Sequence, residues 1–204
     1  MLKTPARPSR RIALSLLAAT FAAPAFAQAT QDTPAAPTPA PDAGRSTGDA
    51  STAQAVQLTA KPAVMISGSS EWEEGFDTIT KSFADLRAAM DKAGLRPGGK
   101  PLTVFLETDD QGFKFQAMIP LEAPAPANVT LPANVKVGET PTGRTMRFEH
   151  RSAYDDIDST YEAITAYLDE KGIEAKPMFV EEYETEPKSA DDPGLQVDIF
   201  VFVK

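Results

Sequence analysis

Two stretches of this chain, about eighty residues apart, carry the same pattern, and that repetition limits the fold more than any other feature. The first runs through Val64-Met65-Ile66, a polar stretch, Glu71-Trp72-Glu73-Glu74, an amphipathic run from Phe76 to Met90, Gly94-Leu95 and the apolar run Leu102 to Leu106. The second runs through Met146-Arg147-Phe148, Tyr154-Asp155-Asp156, an amphipathic run from Ile157 to Leu168, Gly172-Ile173 and the run Met178 to Tyr183. A further apolar strand closes each copy, Phe113 to Leu121 or Leu195 to Val203. Neither copy can bury its apolar face alone, so two halves packed about a pseudo-dyad are expected, with a ligand cleft where they meet.

Phe76, Ile79, Phe83, Leu86 and Met90 are spaced by three and four, one stripe of a helix, and Gly94 suits a left-handed C-cap. Ile157, Tyr161, Ile164 and Leu168 repeat the stripe, with Asp158 or Ser159 able to cap it at the start and Gly172 at its end. Strands are expected at about 63–67, 102–108, 113–121, 145–150, 178–185 and 195–203, with a hairpin at Asp109-Asp110-Gln111-Gly112 that uses a positive φ at the glycine. The proline-rich stretch 123–143 reads as a linker with at most one extended piece, near 134–138. The fold class is α+β: two pseudo-symmetric strand-helix-strand-strand repeats forming an antiparallel sheet, with helices on one face and a central cleft.

Arg7, Arg10 and Arg11 precede an apolar run from Ile12 to Ala23, and Ala25-Phe26-Ala27 fits a signal-peptidase site, so 1–27 reads as a signal peptide cut before Gln28, with a periplasmic or secreted product. The apolar run is shorter than a spanning helix needs, so no stable membrane span is expected after cleavage. Residues 28–56, rich in Ala, Pro, Thr and Gln, read as a disordered tether. That leaves 57–204 as one domain, with halves 57–122 and 134–204. Loss of Lys3, Arg7, Arg10 and Arg11 would take the formal net charge from -9 to -13, which repels phosphate backbones and excludes nucleic acid as a natural partner. With no cysteine, neither disulfides nor thiolate chemistry are available.

Candidate chemistry gathers in the second half. Phe179 to Glu184 places three acids and Tyr183 on one strand, and an acid among aromatics can hold a cation or act in proton transfer. Solvated glutamates guarding a sheet edge are the plainer alternative. Trp72 and Tyr154 stand at equivalent places before the two helices, where their rings either line a cleft mouth or staple the first turn. In the last strand, Val197, Ile199, Val201 and Val203 share one face, which suits helices. Asp198, Phe200 and Phe202 share the other, which suits a cleft or a second aromatic core. His150, the one histidine, is expected in a structural hydrogen bond. No catalytic constellation, metal-ligand spacing or cofactor motif is present: there is no HExxH, GxSxG or Gly-rich phosphate loop.

The stretch Gly143-Arg144-Thr145-Met146-Arg147-Phe148-Glu149-His150-Arg151-Ser152-Ala153-Tyr154 resembles the "GkyAvlrHrGpY" strand and turn of the GyrI-like, or AraC-type effector-binding, family. Pro177 to Pro187 resembles that family's "pp.feeYlndP" strand, and Leu195 to Val203 its terminal strand. The resemblance implies the duplicated fold inferred above and a small-molecule ligand, amphipathic and cationic or aromatic, held between the halves by a buried glutamate. Carried over, that acid is Glu182 beside Tyr183, with Glu181 as the fallback. Tyr154, Trp72, Phe105, Phe200, Phe202 and Asp198 are the expected surroundings, and Phe105 is expected opposite Glu182. The chain departs from the pattern at Ser152, where the family has glycine, and has Gly68 where the second copy has His150. A hydrolase using a cleft Glu/Tyr pair and a non-catalytic envelope interaction module are the rival readings.

Overall fold

The computed structural model describes residues 53–204. The expected signal peptide and all of the expected tether before Ala53 lie outside the described residues. The elements, in order, are β1 (Gln54–Leu58), β2 (Pro62–Glu71), α1 (Gly75–Ala93), β3 (Leu102–Thr108), β4 (Gly112–Pro120), β5 (Lys136–Glu139), β6 (Gly143–His150), α2 (Ile157–Lys171), β7 (Ala175–Tyr183) and β8 (Val197–Val203). A short 3-10 turn leads into each helix, Trp72–Glu74 and Tyr154–Asp156. All strand pairings are antiparallel, in one sheet of order β1-β6-β8-β7-β3-β4-β2-β5. No described helix is long and apolar enough to cross a membrane.

Both expected helices form, and both end as their glycines dictate. Gly94 and Gly172 take φ of 67° and 61°, and the amides of Leu95 and Ile173 return to Met90 and Leu168. The start of α2 differs from expectation: the hydroxyl of Ser159 donates to the carbonyl of Asp156 and so does not cap the helix, and Asp156 occupies the N-cap with its carboxylate accepting from the Ser152 hydroxyl (2.9 Å) and making no capping bond. At the β3–β4 hairpin the Asp109 carboxylate accepts the amides of Gln111 and Gly112. Gly112 does not use a positive φ. It is required because a side chain there would drive into the Ser70 carbonyl of β2.

Two strands lie where the sequence reading was thin. β5 realises the extended piece of the linker. β1 falls partly inside the stretch read as tether, because Gln54 to Leu58 is sparse in large apolar side chains and owes its structure to β6. Pairing continues without a change of register across the connecting residues 59–61 and 140–142: Gln54 faces Arg147, Leu58 faces Gly143, Pro62 faces Glu139 and Met65 faces Lys136. In a flat sheet β1 and β2 would stand about 29 Å apart, whereas Leu58 and Pro62 are joined by a link that reaches at most about 14 Å. The sheet is therefore curled until its edges meet. The seam is held by the Thr140 amide on the Lys61 carbonyl (2.9 Å), the Lys61 amide on Thr140 Oγ1 (3.0 Å) and the Thr142 hydroxyl on the Leu58 carbonyl (2.9 Å).

The curled sheet has two apolar faces. On the helix face, Phe76, Ile79, Phe83, Leu86 and Met90 of α1 and Ile157, Ile164 and Leu168 of α2 pack on Val64, Ile66, Phe105, Phe113, Phe115, Phe148, Tyr183, Val197, Ile199 and Val201. On the inner face, Ala63, Leu102, Val104, Met118, Val180, Phe200 and Phe202 form a second cluster. β8 thus splits as its alternation predicts, aliphatic toward the helices and aromatic away from them. The unlike pair Gly68 and His150 is explained by packing: Gly68 is paired with Phe115, whose ring would touch any added Cβ, whereas His150 is paired with the smaller Val197.

Candidate functional site

Strand alternation decides which acid of the 179–184 segment is enclosed. Phe179, Glu181 and Tyr183 point to the helix face, and Val180 and Glu182 point to the inner face. Glu181 is 1% exposed. Its carboxylate accepts three phenol hydroxyls: Tyr161 at 2.7 Å on Oε1, and Tyr183 at 2.8 Å and Tyr154 at 3.1 Å on Oε2. Burial pushes the Glu181 carboxyl above its ordinary value, outweighing the downward pull of the tyrosines. Burial, and next the Glu181 charge, pushes the Tyr161 and Tyr183 hydroxyls well above theirs, so both remain donors. Among the described residues no Lys or Arg is paired with Glu181.

An aromatic shell surrounds this carboxylate. Phe179 meets Tyr161 edge-on at 5.2 Å and stacks on Phe105 at 4.5 Å, Phe83 of α1 meets Tyr183 at 5.2 Å, and Phe76 meets Tyr154 at 5.1 Å. Such rings offer π-faces to a cation as well as apolar area.

The residues singled out from sequence do not form one cluster. Glu181, Tyr183, Tyr154 and Phe105 come together on the helix face. Trp72 lies at its margin, stapling the β3–β4 turn through Nε1 to the Asp109 carbonyl (2.8 Å) with its ring against Phe113 (4.9 Å). Glu182, Phe200, Phe202 and Asp198 lie on the inner face. Adjacent strand residues point to opposite sides, so Glu182 cannot stand beside Tyr183 as expected; Glu181, the fallback, does. Phe105 is paired with Phe179, and Leu102 is the residue opposite Glu182. Asp198, 4% exposed, is engaged by Arg147 Nε at 2.6 Å and Arg151 Nη2 at 2.7 Å. Glu182 is half-buried, raised by burial and by nearby Glu184, and borders a hollow of about 50 Å³ with Lys61, Leu102, Val180 and Phe200. That volume accommodates a few water molecules, well below the span of a drug-sized ligand.

His150 is structural, as expected: Nε2 donates to the Ala153 carbonyl (3.0 Å) and Nδ1 accepts from the Thr160 hydroxyl (2.8 Å). Tyr161, Phe179, Phe76 and Phe83 were not singled out as site residues, although Tyr161 lies on the apolar stripe of α2 and Phe179 lies two residues from Glu181 on its strand. Among the described residues no group of His, Asp and Glu has the arrangement of a metal site.

A buried acid enclosed by aromatic rings, on the helix face of a duplicated antiparallel sheet, defines the class: a small-molecule-binding α+β domain. The family model for the GyrI-like small-molecule-binding domain matches residues 53–204, and the chain belongs to that family. No curated protein matches the sequence. Among solved structures, the chain is similar to the C-terminal domain of EcmrR (TM-score 0.61, 12% identity, covering 74% of this chain and 96% of that one). It spans only 57% of the EcmrR chain seen in complex with DNA. It is also similar to a hydrolase from Listeria innocua (TM-score 0.55, 13% identity, covering 75% and 92%) and to SAV2435 bound to tetraphenylphosphonium (TM-score 0.50, 18% identity, covering 74% and 93%). At these identities the likeness is one of fold.

Proposed function

We propose that this domain is an exported receptor for amphipathic organic cations, with Glu181 as counter-charge and Tyr154, Tyr161, Tyr183, Phe105 and Phe179 as aromatic walls. The observation that carries the reading is a carboxylate 1% exposed whose hydrogen-bond partners are three neutral phenols. A charge buried without a counter-ion is costly, and a bound cation removes that cost while the rings add cation–π attraction. SAV2435, of like fold, holds a lipophilic aromatic cation. Two of the three tyrosines belong to the 154–161 segment, so a ligand reaches Glu181 when that segment and the start of α2 lift from the sheet. The export reading rests on residues 1–27 of the sequence.

Titration with tetraphenylphosphonium and lipophilic amines tests the reading. Glu181→Gln keeps the shape and removes the charge, and is expected to weaken binding about ten- to a hundredfold. An unchanged affinity overturns the counter-charge role. Since only the ionised acid pairs with a cation, affinity should rise with pH through the raised Glu181 value. Recovery of the protein from the periplasm with Gln28 as its first residue checks export.

A hydrolytic reading uses the same groups, Glu181 to orient water and Tyr183, 2.8 Å away, to pass a proton. Turnover of a reactive electrophile that disappears in Tyr183→Phe would favour it over binding alone.

A further inference from the structure

The pseudo-dyad leads to a second buried polar group, opposite Glu181. Glu181 is the ninth residue after the helix-ending Gly172, and Thr103 is the ninth after Gly94. The two are also direct partners in the β3–β7 ladder, so the pseudo-dyad passes between them. Thr103 shares the helix face with Phe105, since Leu102 and Val104 belong to the inner cluster. It is fully buried, and among the described residues its Oγ1 is the buried side-chain atom without a hydrogen-bond partner. Valine has nearly the same shape and leaves no orphaned hydroxyl, so packing does not call for threonine here.

We propose that Thr103 is a specificity-determining residue: its hydroxyl hydrogen-bonds to a polar atom that the ligand carries close to its cationic centre. Cβ atoms of directly opposed residues stand about 4.5–5.5 Å apart, so a cation paired with Glu181 brings its nearest substituent over Thr103. The preferred ligands are then cations with a hydroxyl, ether or amide oxygen two or three bonds from the charge, ahead of wholly apolar cations of equal size. This inference rests on the cation-binding reading above and deepens it.

The test is a matched pair of probes, benzyl(2-hydroxyethyl)dimethylammonium and benzyldimethylpropylammonium, which differ by a hydroxyl in place of a methyl, titrated against the wild-type protein and Thr103→Val. The wild type is expected to prefer the hydroxyethyl compound about five- to tenfold. In Thr103→Val the preference should vanish, with tetraphenylphosphonium affinity changed less than about twofold and the melting temperature unchanged or higher. The same preference ratio in both proteins overturns the role of Thr103 alone. A melting temperature lowered by several degrees also overturns it, because the hydroxyl would then serve the fold. Failure of every cation to bind the wild type overturns the parent reading, and this one with it.

Discussion

The two halves of the molecule share their elements but differ in how much apolar surface each helix buries and in which polar groups each half encloses. α1 buries eight of its nineteen residues, among them Phe76, Ile79, Phe83, Leu86 and Met90, whereas α2 buries four of fifteen: Ile157, Thr160, Ile164 and Leu168. At the dyad position the first half has Thr103 and the second has Glu181. Four residues before the aromatic that leads into each helix, the first has Gly68, filled by Phe115, and the second has His150, which is bonded to α2 through Thr160. The two halves keep the same elements, but the larger buried helix face lies in the first and the buried His150 and Glu181 lie in the second. The helix with the smaller buried face is also the one that carries Tyr161 over the acid.

That contrast can be broken most directly in the core. Phe83→Ala, at a fully buried ring, is expected to cost about 3–5 kcal/mol, and Ile164→Ala on α2 about 2–3 kcal/mol, both measured by urea unfolding. Hydrogen exchange should find α2 amides opening before those of α1. Equal costs and equal protection would show the helices to be equivalent anchors.

A medium effect is expected from the two groups that differ between the halves, with opposite signs. Burial holds the His150 ring below its ordinary 6.5, so the unfolded chain takes up the proton first. The contribution of the neutral ring is complete above about 6.5 and declines as pH falls. The Glu181 carboxyl is raised above 4.5, so the fold favours the protonated acid; that contribution is complete below about 4.5 and declines as pH rises through the raised value. Urea midpoints between pH 4 and 8 should therefore lose their acid-side decline in His150→Gln and their alkaline-side decline in Glu181→Gln. The latter variant should also be the more stable protein at pH 7. A Glu181→Gln variant less stable than wild type at that pH would mean the tyrosines outweigh burial.

The smallest effect belongs to the link between α1 and the loop after β7. Arg87 meets Glu186 through two bonds of 2.7 Å, but the side chains are 39% and 62% exposed. Arg87→Ala should change unfolding free energy by less than about 1 kcal/mol, an effect that salt diminishes.

Much of this architecture was legible in the sequence because the repeat carries its own check: two apolar stripes, each ended by a glycine, allow few arrangements. The two faces of β8 followed from alternation alone. Which of Glu181 and Glu182 is enclosed with Tyr183 was legible by the same rule, since Tyr183 and an adjacent residue cannot share a face, whereas the resemblance pointed to Glu182, which faces the inner side. β1 was not legible, as Gln54 to Leu58 carries few apolar side chains and is a strand because β6 offers it partners. Nor was the whole shell around Glu181: Phe105, Tyr154 and Tyr183 were expected, but Phe76 and Phe83 reach it only after the halves close on each other.

The seam has a mechanical consequence. Although β1 opens the first half in chain order, its hydrogen bonds run to β6, with Gln54 facing Arg147, the residue that grips Asp198 of β8. A load applied at residue 53 is therefore transmitted first to the half that contains the acid. Tension on β1 would strain the half that encloses Glu181 before it reached the half anchored by α1.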